Sequence, residues 1–422
     1  MNNLTFINDE LSMLLYYNYS SIDYNSNSLK YAESILKRSL FYKPFTKNIE
    51  DLEKAVKSIT ELELFSLLQS LRSTPEMISN KTEFLISFAG KSSQIDFALG
   101  RLLGSAVNSN ILSEKNLRNY LRNNWLKTND ERLLESFLKI SMLSEIDFLS
   151  KEDVEKIIGK KSETDLLLAF SDYCSIFEKR EFVTTIHSLF NELIDYNPAL
   201  SFFFEDNLKE IDNKRNGFHL SYEWNNLTNL FKDFVEVADS TLLQFMFYGD
   251  PAMTGKKNTG GLTTFLIALG NELSKKMNVI TIGVLPVGKT NTGKIYKAIS
   301  KHHTLLRIPL YITHSVQNEF IDKFTHIKRM IKRLLEILPV KKLKAHLRYS
   351  DHASLAAAET LKALSNKVFF TITADPHIKM VNSEGKIVNP DNETASIMLS
   401  RLYASEEIVK IADRLIGIGT GV

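Results

Sequence analysis

The spacing of apolar residues changes near the middle of the chain. In the first half apolar positions recur three and four apart, as in LEKAVKSITELELFSLLQSL and ERLLESFLKISML, the period of helices that bury one face. Helix starts are marked chemically: Thr74 precedes Pro75 and Glu76, and Ser150 precedes Lys151, Glu152 and Asp153 in a segment that stops at Gly159. The pattern predicts helix pairs with short connections, forming a helical bundle or an irregular α-solenoid.

From Leu242 onward the periodicity gives way to short continuous apolar runs separated by helical stretches. Strands are predicted at Leu242 to Tyr248, Val279 to Val287, Leu305 to Ile312, Lys344 to Tyr349, Lys367 to Thr373 and Arg414 to Ile418. Helices are predicted at Leu262 to Lys276, Gln317 to Leu338, Ala353 to Leu364 and Thr394 to Ala412, with a Gly/Asn/Thr-rich loop after Val287. Strands without polar alternation that alternate with helices imply a mostly parallel sheet covered on both faces. The predicted architecture is an all-α helical region, residues 1–239, followed by an α/β Rossmann-like domain, residues 240–422. Glycine and proline agree: residues before 241 hold 5 of 17 Gly and 3 of 9 Pro, which puts the boundary near Asp239.

Composition narrows the chemistry. With 52 Lys+Arg against 50 Asp+Glu the net charge is +2, so no polybasic field marks a nucleic-acid binder. One cysteine, Cys174, excludes an intramolecular disulfide or a cysteine-based metal site, and the histidines lack metal-ligand spacing. The amino terminus has no basic region of a signal peptide, and no run approaches the roughly 20 apolar residues of a membrane span. A cytoplasmic protein without metal or cofactor is expected. The basic run from His326 to Lys344, with Lys328, Arg329, Lys332 and Arg333 at helical spacing, is expected to be the solvated face of a covering helix.

In a doubly wound sheet, ligands sit beyond the carboxyl ends of the strands. Three groups of residues fall there. Thr259, Gly260 and Gly261 precede a helix, where bare backbone and unpaired first-turn N–H groups suit phosphate or sugar oxygens. Arg348, Asp351 and His352 lie at the end of one strand, Asp351 also being placed to cap the next helix. Asp375 and His377 follow another, within FFTITADPH, where a histidine can orient or deprotonate a hydroxyl. Gly283 to Thr290 also satisfies G-x-x-x-x-G-K-[ST], the P-loop expression. Its first residues continue an apolar strand, and Asn291-Thr292-Gly293 interrupts a helix after it, so Lys289 reads instead as a polar-turn residue free to reach an anion.

The order of these pieces resembles the amino-terminal, acceptor-side domain of retaining GT-B glycosyltransferases of the sucrose-phosphate synthase and glycogen synthase type. NTGGLTTFLIALGNELSKKMNVITI resembles that family's Gly-Gly loop, helix and second strand, and TLLRIPLYI its third strand. YSDHASLAAAETL and VFFTITADPH resemble its paired strand-end motifs, and EEIVKIADRLIGIGTG the helix and strand that close the domain. The resemblance covers about 180 residues and leaves residues 1–240 unexplained. It implies transfer of a sugar from a nucleotide-sugar donor to a hydroxyl acceptor, with or without a phosphate, and with no bound metal. Gly260 and Gly261 would approach donor phosphate or acceptor, His377 would contact the sugar or acceptor hydroxyl, and Lys289 and Arg348 would serve a phosphorylated acceptor. The family's second, donor-binding domain has no counterpart before Val422, so a fragment inactive by itself is expected. A P-loop-type nucleotide-binding protein and a non-catalytic helical interaction module stay open as alternatives.

Overall fold

The computed structural model describes residues 61–72, 78–79, 81–157, 163–186, 188–189, 200, 202–204, 223–224, 226–231, 240–248, 251, 260–287, 294–312, 320–338, 343–371 and 392–417. Among these, every regular element before residue 240 is helical. None of the described helices is long and apolar enough to cross a membrane. Two compact units form.

The first unit holds helices α1 (Glu61–Arg72), α2 (Thr82–Ile86), α3 (Ser93–Asn108), α4 (Glu114–Lys127) and α5 (Glu131–Ser144). Ser92 and Asp130 cap α3 and α5 by accepting first-turn N–H groups. α3 packs on α1 and α5. Its approach to α5 is close enough that a Cβ on Gly100 would stand 2.6 Å from Cβ of Leu143, so only glycine fits there.

The second unit runs from Leu149 to Thr373 and resumes at Ser400. It opens with α6 (Lys151–Ile157) and α7 (Thr164–Ile176); a single helical turn, α8 (Leu227–Leu230), follows. Ser150 caps α6 as expected: its Oγ accepts the Asp153 N–H at 3.4 Å, and its own N–H donates to Asp153 Oδ2 at 3.1 Å. Thr74 lies outside the described residues.

The sheet is built from β1 (Thr241–Phe245), β2 (Asn278–Val287), β3 (Tyr296–Ser300), β4 (His303–Tyr311), β5 (Leu343–Leu347), β6 (Lys367–Thr371) and β7 (Arg414–Ile416). Its order is β3-β4-β2-β1-β5-β6-β7. All pairings are parallel except β3 with β4. The connecting helices are α9 (Gly260–Leu273), α10 (Phe324–Ile337), α11 (His352–Ala363) and α12 (Asn392–Ile411). α12 starts in the first unit and enters the second at Ser400. The mostly parallel Rossmann-like sheet therefore matches the expectation, with one correction: part of the loop after Val287 is the antiparallel edge strand β3. Its residues are mostly exposed, so they carry no apolar run.

The basic face of α10 needs a second correction. Arg329 and His326 both meet Asp172 Oδ1 of α7 at 3.1 Å, and Lys328 meets Glu359 of α11 at 3.0 Å. Lys332 is exposed, as expected, but Arg329 is buried. Burial alone would raise the Asp172 carboxyl; His326, Arg329 and Lys323 outweigh it and hold the group at about 2. These charges anchor α7 to a helix of the sheet, so residues well before Asp239 share one compact unit with the strands.

Beneath α9 lies a polar file. His303 Nδ1 faces Asn271 Oδ1 at 2.8 Å, and Nε2 faces the Thr281 hydroxyl at 2.8 Å. Burial holds this imidazole down to about 4, so it is neutral at pH 7 and carries one ring proton between these two contacts, while the Thr281 hydroxyl donates to Gln244 Oε1 at 3.2 Å.

Candidate functional site

β1 and β5 are neighbours at the centre of the sheet, yet the chain leaves β1 toward β2 on one side and β5 toward β6 on the other. Such a reversal splays the connections apart and opens a crevice beyond the strand ends. The ladder continues past β1 and β5 for a residue: Arg348 N–H donates to Phe245 O at 3.3 Å, and Met246 N–H to Ile282 O at 3.0 Å. Both chains then present a tyrosine. Tyr248 and Tyr349 stack across the junction with ring centroids 4.6 Å apart and planes at 6°.

Two guanidinium groups lie on aromatic rings at this edge, one of them on the tyrosine pair. Arg401, on α12, lies 4.5 Å from the Tyr349 centroid, and its Nε donates to Ser350 O at 3.4 Å. Arg348 lies 4.4 Å from the centroid of Phe265, which is 49% exposed on α9. Phe265 is one turn on from Gly261, so Arg348 links the start of α9 to the end of β5. A Cβ added at Gly261 would meet no atom within 4 Å, which leaves that first turn open on its outer side. Burial, with Asp351 and Tyr248 adding to it against the charge of Arg401, pushes the Tyr349 hydroxyl up to about 12; it stays neutral.

Asp351 is the N-cap of α11, its Oδ1 accepting the Ser354 N–H at 2.7 Å. Its Oδ2 is buried without a hydrogen-bond partner. Burial pushes this carboxyl up to about 6, against hydrogen bonds from Ser354 and Ala353 and the charge of Arg401. His352 is the first residue of α11 and is buried, its ring stacked on Tyr403 at 6.1 Å. Gly260, Gly261, Arg348, Asp351 and His352 thus all lie at the carboxyl edge, with Asp351 and His352 turned into packing. Thr259, Lys289, Asp375 and His377 lie outside the described residues.

The P-loop spacing has a plain structural origin. Gly283 to Val287 are regular β2 strand, paired with Arg307 to Tyr311 of β4, so they cannot wrap a phosphate. Gly283 is bare because Pro251 sits over it; a Cβ would be 2.6 Å from the proline Cδ. Among the described residues no cluster of His, Cys, Asp and Glu could hold a metal ion.

Sequence reasoning missed Tyr248, Tyr349, Phe265 and Arg401. The two tyrosines carried a signal, since each ends an apolar run at the sheet centre. Arg401 carried none: it is one arginine on a long helix, and only the fold brings it to β5.

No known family profile matches the chain, and no curated protein matches it. Among solved structures, a sucrose-phosphate synthase from Thermosynechococcus elongatus is similar at 15% identity, over 42% of this chain and 41% of that one, with a TM-score of 0.31. The chain thus matches about two fifths of that protein's length.

Proposed function

We propose that the crevice between the ends of β1 and β5 is the ligand site of a retaining glycosyl transfer, in which a sugar passes from a nucleotide-sugar to a hydroxyl acceptor. The observation that carries this reading is the stacked Tyr248–Tyr349 pair at the reversal of the sheet, with Arg401 over Tyr349 and Arg348 over Phe265 of α9, the helix whose glycine start is open. The order of family-like motifs along the strand ends supports it from the sequence. In this reading the first-turn N–H groups at Gly260 and Gly261 face donor phosphate or acceptor oxygens, supplying fixed dipoles where charge develops on the leaving phosphate. The anomeric carbon gives up its bond to the phosphate oxygen and gains one to the acceptor oxygen. The acceptor's proton leaves with the released phosphate or through His377. Lys289 and Arg348 serve the acceptor where it is phosphorylated. No metal is assigned a role.

The test is release of nucleoside diphosphate from a panel of nucleotide-sugars, with the product's anomeric configuration followed by proton NMR. Configuration retained, with release dependent on an acceptor, is the expected result. No release from any donor, in the protein as it occurs naturally, would contradict the reading.

A further inference from the structure

Arg401 is held in place without an ion pair. Among the described residues no carboxylate lies within ion-pair distance of it, although its charge acts on Asp351 and Tyr349, and its one hydrogen bond is the 3.4 Å contact from Nε to Ser350 O. That leaves the two Nη groups of a part-exposed side chain available to solvent. The guanidinium lies over the Tyr349 ring, 4.5 Å from its centroid, and Tyr349 itself stacks on Tyr248. A guanidinium on an aromatic face keeps its planar donor fork free for a partner lying in that plane. Asp351, on whose carboxyl the charge of Arg401 acts, is turned into the cap of α11 and makes no ion pair with it.

We propose that Arg401 is an oxyanion-binding residue of this crevice, its fork taking a phosphate or carboxylate group of the ligand while the tyrosine stack holds it in place. The inference rests on the reading of the crevice as a ligand site and not on the transfer chemistry. Paired N–H donors in a fixed fork match two oxygens of one carboxylate or phosphate, which lysine cannot do. The stack also lowers the cost of binding, because the side chain is already ordered before the ligand arrives.

Isothermal titration of the full chain with inorganic pyrophosphate, and separately with malonate, at constant ionic strength tests this and separates the two oxyanion classes. Wild type is expected to bind at least one of them. Arg401→Gln should weaken that binding by about tenfold or more, and Tyr349→Leu, which keeps the charge and removes its platform, by a few-fold. Arg401→Lys should fall between wild type and Arg401→Gln, and melting temperatures identify any variant that is merely unfolded. Wild type that binds neither probe at millimolar concentration, or Arg401→Gln that binds as well as wild type, overturns the proposal. Arg401-dependent anion binding without sugar transfer would leave this inference standing and remove the proposed reaction; sugar transfer without Arg401-dependent binding would do the reverse.

Discussion

Gly270 of α9 lies so close to His303 of β4 that a methyl group on its Cα would stand 2.3 Å from the imidazole Cε1. The same methyl would be 2.9 Å from Gln244 Oε1, so it has no side to yield toward. Alanine normally favours a helix interior by about 1 kcal/mol over glycine. Here overpacking outweighs that preference, and Gly270→Ala is expected to destabilise by about 1–3 kcal/mol, read from the urea midpoint at unchanged slope.

The Asp172 cluster gives a contrast between a buried and an exposed ion pair. Removing the carboxylate in Asp172→Ala takes from the buried Arg329 and from His326 the carboxylate they share, and a loss of about 3 kcal/mol is expected. Asp165, 42% exposed and 3.6 Å from Lys323, should cost less than about 1 kcal/mol when changed to Asn. Equal effects would show that α7 is not held to α10 through Asp172.

Stability should fall on mild acidification, and the sign follows from three buried groups. His303 and His346 titrate at about 4 in the folded protein instead of 6.5; for His346 burial is reinforced by the charge of Arg348. Between those values the unfolded chain binds two protons that the folded protein refuses. Asp351 opposes them, since at about 6 it binds its proton more readily when folded than its ordinary 3.8 allows. Two groups against one give a loss of about 1.4 kcal/mol per pH unit from pH 6 to 4. Asp351→Asn, which can still cap α11, should roughly double that slope and stabilise the protein at pH 8. A pH-stability curve unaltered by the substitution would place the Asp351 carboxyl near its ordinary value.

How much of this was legible in the sequence depends on which physical signal each part carries. β1, β2, β4, β5 and β6 are buried enough on both faces to read as apolar runs, and they lie within two residues of the predicted starts. β3 is an exposed edge strand, so its residues look like loop. The cap at Asp351 was legible because capping is local. The partners of the α10 charges were not: Arg329 and Asp172 are 157 residues apart, and a basic stripe facing a carboxylate looks the same in sequence as one facing water. Gln244 and Thr281 likewise sit inside mainly apolar runs, and His303 just before one, so nothing local shows that they meet. The position of Arg348 could be read from its strand end, whereas Arg401 reaches the site only through the packing of α12.

The central claim, that the open start of α9 faces the ligand, is tested most directly by Gly261→Val. A Cβ at this position meets no atom within 4 Å, so stability should stay within about 1 kcal/mol of wild type. Nucleotide-sugar turnover, measured on the protein as it occurs naturally, should nevertheless be lost, because the branched side chain occupies the space through which a ligand approaches the first-turn N–H groups. Turnover in Gly261→Val equal to that of wild type, at equal melting temperature, would contradict the account.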